Sequence, residues 1–220
     1  SLDYFDEMED ILYIKDIPIN PTGIWHNELK YASENGKGLV DYKLTEDYIP
    51  NNPNLYTLIV VDHISLIKKE RGFQTKDLID KLSEFMIILR NKLGFTPVII
   101  QQLNRAGNDP VRMKMGKMEP MLSDYKDSGS TVQDCNIALS IFSPTRYEMD
   151  EHRGYKINPK EGGLGGRYRS LQILKNRDGE ADKTIGLEFI GEVGGFTELP
   201  KPSIISLSDY ERINRIKKSF

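Results

Sequence analysis

The sequence has 220 residues, with 30 lysines and arginines against 33 acidic residues, and is 38% hydrophobic and 29% charged. Those proportions suit a globular chain and exclude collagen-like, wholly disordered and disulfide-stapled classes, and at this length about 70% of the unfolded chain's surface can be buried. A net charge of -3 rules out a blanket polycationic surface but leaves room for a local basic groove that binds nucleic acid.

No apolar run approaches the ~20 residues that cross a bilayer. No basic stretch leads into an apolar one at the start, and the single cysteine, Cys135, can neither pair internally nor complete a metal-ligand spacing. No membrane association and a cytoplasmic setting are therefore expected.

Ile11 to Ile14 reads as a first short strand, followed by a helix from about Thr22 to Asn35 that stops at Gly36. Thr45 to Asn54, polar and proline-containing, reads as a linker. The clearest unit follows. Leu58-Ile-Val-Val61 is a short apolar run that predicts a strand buried on both faces. Thr75 is placed to cap a helix in which Leu78, Leu82, Phe85, Met86, Leu89 and Leu93 recur at helical spacing until Gly94. Pro97 then opens a second strand, Val98-Ile-Ile100. A strand, crossover helix and strand lie parallel, which brings Asp62 and the pair Gln101-Gln102 to one edge of the sheet, where open α/β sheets bind ligands.

Further on, Ile137 to Phe142, Leu171 to Leu174 and Ile185 to Ile190 predict strands, with Phe196 to Leu199 a fourth. The segment after Asn104, with Arg105, Arg112, Lys114 and Lys117, reads as mobile and basic. Met113, Met115, Met118 and Met121 alternate with charges there in a pattern that points to no assignment. The charged, glycine-rich stretch from Arg146 to Arg169 reads as a long mobile loop. Trp25 and Cys135 are expected in the core. The three histidines have no ligand spacing, which makes His63 a helper beside Asp62 rather than a metal ligand.

Taken singly, the polar strand ends have two readings each. A carboxylate such as Asp62 at the end of a strand can hold hydrated magnesium against nucleotide phosphates, or it can simply cap the next turn. Gln102 can sense a γ-phosphate or be a plain polar strand end. Lys175 and Arg177, two apart and therefore on one face of a strand, can reach a common phosphate, or form an ordinary cationic strand end. Lys126 to Ser130 suits main-chain and lysine contacts to a phosphate backbone, and equally a capping turn.

In combination these residues resemble a family. Leu58-Ile-Val-Val-Asp-His-Ile-Ser-Leu66, Val98-Ile-Ile-Gln-Gln-Leu-Asn-Arg105, Leu122-Ser-Asp-Tyr-Lys-Asp-Ser-Gly-Ser130 with Gln133-Asp134, and Ile173-Leu-Lys-Asn-Arg177 look like successive motifs of the DnaB-type replicative helicases, an order shared with phage primase-helicases and the Twinkle helicase. The resemblance extends over roughly residues 11 to 200. It implies an α/β, RecA-like (P-loop NTPase-type) sheet with helices on both faces and antiparallel strands at its C-terminal end. Residues 1–200 would form the second half of a helicase ATPase domain and residues 201–220 a helical tail.

By that resemblance Asp62 binds magnesium through water, Gln102 senses the phosphate, and Lys175 and Arg177 reach into a neighbouring subunit's ATP site, Arg177 as arginine finger. Lys126, Asp127, Ser128 and Gly129, with Arg105, would follow single-stranded DNA. Members more often have Arg-Glu at Lys126-Asp127, which exchanges a planar fork for a point charge. ATP and Mg2+ are the implied cofactors. A homo-hexamer and a primase or helicase loader are the implied partners.

The sequence has no Gly-x-x-x-x-Gly-Lys-[Ser/Thr], the loop that cradles the phosphates. The resemblance therefore implies a truncated, split or degenerate core that is inactive alone. The rival readings are a non-catalytic DNA-binding or interaction module on a RecA-like scaffold and a recombinase-type ATPase.

Overall fold

In a computed structural model, which describes residues 11–103, 109–128 and 131–215, the chain divides into two compact units, 1–102 and 103–220.

In the first unit, Asn20 caps helix α1 (Pro21–Asn35) by accepting from the Gly23 N–H at 2.7 Å, with Pro21 where the helix needs no donor. The residues expected to be a linker instead form half of a hairpin: β1 (Gly36–Val40) pairs antiparallel with β2 (Lys43–Pro50). Asp41 and Tyr42, both at positive φ, make the turn, as two-residue hairpin loops require. Leu44 and Tyr48 of β2 pack on the core, so the polar residues between them occupy an outer face rather than a tether. The strand expected at Ile11 to Ile14 does not form. No described strand lies beside it to pair with, and its apolar side chains are exposed.

Strand β3 (Leu58–Val61) and β4 (Thr96–Ile99) are parallel, with Leu58 opposite Thr96 and Val61 opposite Ile99. Helix α2 (Thr75–Leu93) connects them. Its first residue is Thr75, while Gln74 is the cap and its N–H donates to Asp77 at 3.0 Å. Gly94, at φ 72, ends the helix in the left-handed conformation. Leu82, Met86, Leu89 and Leu93 pack against Ala32, Ile59 and Phe95, and Trp25 stacks on Phe85 at 4.8 Å. The expectation that β3 is buried on both faces is corrected. Ile59 is buried, but Leu58 and Val60 are 60% and 54% exposed, because the described chain lays helices over one face only.

In the second unit, helix α3 (Pro110–Lys114), a 3-10 helix (Leu122–Ser128) and helix α4 (Thr131–Asp134) lead into β5 (Ile137–Phe142). β5 belongs to an antiparallel sheet ordered β10-β9-β8-β5, with β8 at Tyr168–Asn176, β9 at Lys183–Ile190 and β10 at Gly195–Glu198. Along β5, Ala138, Ser140 and Phe142 point inward, and Ile137, Leu139 and Ile141 are left exposed.

The stretch from 146 to 169 is not a loose loop. It carries the small hairpin β6 (Glu151–His152) and β7 (Tyr155–Lys156) and two 3-10 turns. Its Tyr155, Ile157 and Leu164 join Tyr168, Leu199, Tyr210 and Ile213 in a second core. Its glycines serve close packing: a Cβ on Gly163 would lie 2.6 Å from the carbonyl carbon of Ile157. Helix α5 (Leu207–Arg215) brings Tyr210 and Ile213 into this core, and the Tyr210 hydroxyl accepts from the Lys156 N–H at 3.0 Å. Cys135 is half-buried beside the Val132 carbonyl, outside both cores.

Candidate functional site

In the first unit the geometry begins with the parallel pair. Backbone pairing runs past the strand ends, with the Ile100 N–H donating to the Val61 carbonyl and the Ile64 N–H to the Ile100 carbonyl, both at 3.0 Å. Asp62 and Gln102 therefore leave the sheet at the same end, on neighbouring strands. Both side chains are exposed, and among the described residues nothing engages either of them. His63 follows Asp62 with its Nδ1 buried and without a hydrogen-bond partner among the described residues.

One free carboxylate suits Mg2+, which keeps most of its waters and takes one or two protein oxygens beside substrate phosphates. Among the described residues no group of three potential ligands gathers to hold a metal by itself. Asp62 thus fits a water-bridged ion that phosphates hold in the main.

In the second unit Lys175 lies on β8 opposite Ala138, and Arg177 follows the strand. Their side chains meet at the end of α4. Lys175 Nζ donates to the carbonyls of Val132 at 2.7 Å and Gln133 at 2.8 Å, and Arg177 Nη2 donates to the Gln133 carbonyl at 2.6 Å. Two cations thereby satisfy carbonyls that a helix end leaves open. Each keeps spare N–H groups, so a phosphate arriving there would find both within reach.

Lys126, Asp127 and Ser128 fall within the 3-10 helix that precedes α4. Gly129 and Arg105 lie outside the described residues. The described segment from 109 to 124 is anchored, contrary to the mobile reading. Arg112 donates to the Lys117 carbonyl at 2.9 Å, the Glu119 carbonyl at 2.6 Å and Asp124 Oδ1 at 2.7 Å. Its charge is committed to a buried carboxylate.

Two features have no signal in the sequence. Glu119 is gripped by Arg153, through Nε at 3.0 Å and Nη2 at 2.5 Å, and lies 2.8 Å from Nε2 of the buried His152. The His152 contact is off the line of a good hydrogen bond and is a charge pair only when the imidazole is protonated. Burial pushes the Glu119 carboxyl up, but Arg153 and then His152 outweigh it and hold it below the usual range. Burial holds the His152 imidazole down, against the pull of Glu119.

The other feature is a cleft of about 280 Å³ with Arg146, Tyr147, Phe142, Arg169 and Asp124 among its walls. Arg169 has its pKa lowered by burial and by the nearby Arg146, which leaves excess positive charge there. No spacing rule joins Arg146 to Arg169 or Glu119 to Arg153. Only the folding of the intervening chain does.

Comparison with solved structures defines the class. The chain superposes on a DnaB-like replicative helicase, solved to show its interactions with primase, with a TM-score of 0.61 at 20% identity, covering 85% of this chain and 37% of that one. It superposes on a second solved ATPase domain with a TM-score of 0.60, also at 20% identity, covering 83% and 52%. The fold is therefore that of DnaB-like helicase ATPase domains, mixed α/β.

Residues 49–198 match the family described as the DnaB-like helicase C-terminal domain, and the chain belongs to that family. Replicative DNA helicase DnaB of Mycobacterium leprae is 31% identical over 145 residues, which is 66% of this chain and 21% of that protein. DnaB of Geobacillus stearothermophilus is 27% identical over 149 residues, 66% of this chain and 28% of that protein. The match thus spans roughly a quarter of these curated relatives.

Proposed function

We propose that this chain is part of a replicative DNA helicase, which couples ATP hydrolysis at subunit interfaces to translocation on single-stranded DNA and unwinding of duplex. The observation that supports the proposal is that residues which resemble the family's motifs come together in pairs. Asp62 and Gln102 end adjacent parallel strands on the same side, and Lys175 and Arg177 converge on one carbonyl.

Asp62 would hold Mg2+ through water, and the ion, when bound with ATP, would supply charge neutralisation for the phosphates. Gln102 would read the γ-phosphate by hydrogen bonding. Lys175 and Arg177 would serve a neighbour's site in a homo-hexamer, and Lys126, Asp127, Ser128 and Gly129 would follow the DNA strand, with Arg105 adding charge.

The phosphate cradle has to come from polypeptide beyond this sequence, since no P-loop is present. Two open apolar faces support that reading: Leu58, Val60, Val98 and Ile100 in the first unit, and Ile137, Leu139 and Ile141 in the second. Parallel strands are normally covered on both faces, and an exposed apolar row on an antiparallel sheet marks a face for another surface to cover. The DnaB-like helicase on which the chain superposes was solved for its interactions with primase, and we infer a primase or a loader as a partner and a cytoplasmic site of action. Among the described residues no helix is long and apolar enough to cross a membrane.

The test is complementation in the P-loop-containing assembly. Arg177→Ala should lower DNA-stimulated ATP turnover by about 10³ or more, and mixing it with Asp62→Ala should partly restore turnover, because the two residues serve opposite sides of one interface. Full activity of Arg177→Ala, or no recovery on mixing, rejects the assignment.

A further inference from the structure

The second unit holds its 109–128 segment in an unusual way. Most apolar side chains of this segment stay in solvent: Val111, Met113, Met115, Met121 and Leu122 are exposed, while Met118, Pro120 and Tyr125 are half-buried. Its fixed points are polar: the Tyr125 hydroxyl donates to the Leu139 carbonyl of β5 at 2.9 Å, and the others are ionic. Arg112 ties together the Lys117 and Glu119 carbonyls and the carboxylate of Asp124, a pair whose side chains are 12% and 4% exposed. The other oxygen of Asp124 accepts from the Met121 N–H at 2.9 Å, which starts the 3-10 helix that contains Lys126 to Ser128. Glu119 in turn is fastened to the β6–β7 hairpin by Arg153 and His152. The hairpin itself is held rigidly: His152 is buried with Nδ1 3.1 Å from the Tyr168 hydroxyl, and Tyr155 and Tyr168 belong to the second core.

We propose that Arg112, Glu119, His152 and Arg153 form a positioning clamp that sets the 3-10 helix carrying Lys126 to Ser128 for the single strand, linking the hairpin packed in the second core to a segment whose apolar side chains are mostly exposed. None of the four needs to touch DNA. Glu119 is the keystone, because it joins the Arg112-ordered turn to the hairpin, through its carbonyl on one side and its carboxylate on the other. The inference rests on the reading of 126–129 as the DNA contact.

The chemistry supplies a test in which position and charge act with opposite sign. Glu119→Gln removes a negative charge from a chain that binds a polyanion, so Coulomb interactions alone would tighten binding. A clamp predicts the reverse, because the amide loses the charge-assisted fork from Arg153. Anisotropy of a labelled oligo-dT on the chain should show Glu119→Gln weakened by roughly three- to tenfold, with its thermal midpoint held within a few degrees. The exchange Glu119→Arg with Arg153→Glu keeps the net charge and re-forms the pair, and should return affinity to within about threefold of the parent.

Lys126→Ala is measured alongside. If Lys126→Ala weakens binding and Glu119→Gln leaves it unchanged or tighter, the clamp is overturned while the contact segment stands. If Lys126→Ala has no effect, the contact segment and the clamp fall together. If the exchanged pair stays as weak as Glu119→Gln, the role of the ion pair is rejected.

Discussion

The two cores of this chain are built on different plans. The first draws Ile79, Leu82, Met86, Leu89 and Leu93 from one face of α2 and closes them against Ala32, Ile59 and Phe95. The second gathers Tyr155, Ile157, Leu164, Tyr168, Leu199, Tyr210 and Ile213 from separate places in the chain, and polar groups are threaded through it. His152 faces Tyr168, and the buried Arg167 and Glu188 lie 3.4 Å apart with Arg212 of α5 beyond them. A core built from one periodic helix is a matter of aliphatic volume. A core assembled from turns depends on which backbone positions can come close and which polar atoms find partners.

The largest expected effect tests the first plan. Leu82 is fully buried, and Leu82→Ala should cost about 2–5 kcal/mol through lost transfer energy and the cavity left behind. Trp25, the single tryptophan, packs on this core, so its fluorescence through a denaturant titration reports on the unit directly. A midpoint shift corresponding to less than about 1 kcal/mol would show that the helix face is not what holds the first unit.

The second plan is tested by glycine. At Gly163 a Cβ would meet the Ile157 carbonyl carbon at 2.6 Å and backbone atoms of Asn158 at 2.7 and 2.8 Å, whereas at the adjacent Gly162 it meets open space and only a φ of +79 opposes it. Backbone cannot swing aside as a side chain does. Gly163→Ala should therefore destabilise the second unit by roughly 1–3 kcal/mol and Gly162→Ala by about 1 kcal/mol, ordered in that way in thermal melts. The reverse order would mean that this stretch tolerates local movement and does not pack as a core.

The same contrast explains what can be read from the sequence. The β3, α2, β4 unit is legible because its signals are local: an apolar run, a helical repeat, and Gly94 as a stop. The strands β5, β8, β9 and β10 are legible for the same reason. The 146–169 stretch reads as loose because glycine and charge mark turns by composition, and nothing local separates a glycine that gives freedom from one, such as Gly163, that permits contact. The hairpin strand β2 is hidden by its polar outer residues. At the site, the strand-end positions of Asp62 and Gln102 follow from topology. The carbonyls that receive Lys175 and Arg177, and the grip of Arg153 on Glu119, are pairings over 34 to 44 residues that no spacing rule encodes.

The smallest expected effect separates the two plans by pH. In the first unit Glu70 accepts from Lys81 Nζ at 2.6 Å and from both the N–H and the hydroxyl of Thr22. The Lys81 hydrogen bond is the main cause that holds its carboxyl below the ordinary value, against partial burial. A depressed acid contributes stability that is full above its unfolded pKa, near 4.5, and is lost as pH falls through the lower folded value.

In the second unit His152 also has a depressed pKa, with burial as the first cause, among Glu119, Arg153 and Tyr168. Here the folded state binds the proton less well than the unfolded chain does. Stability is therefore full above the ordinary histidine value of 6.5 and declines as pH falls below it, with a slope of at most about 1.4 kcal/mol per pH unit for one proton. The second unit should thus begin to weaken between about pH 6.5 and 5, where the Glu70 contribution is still intact. Far-UV melts of the parent and of His152→Gln across that range check this, since the variant should lose part of the pH slope while the midpoint read by Trp25 fluorescence keeps its own. An identical slope in parent and variant would mean that burial of the imidazole is not linked to folding, and the polar threading of the second core would then be a matter of geometry alone.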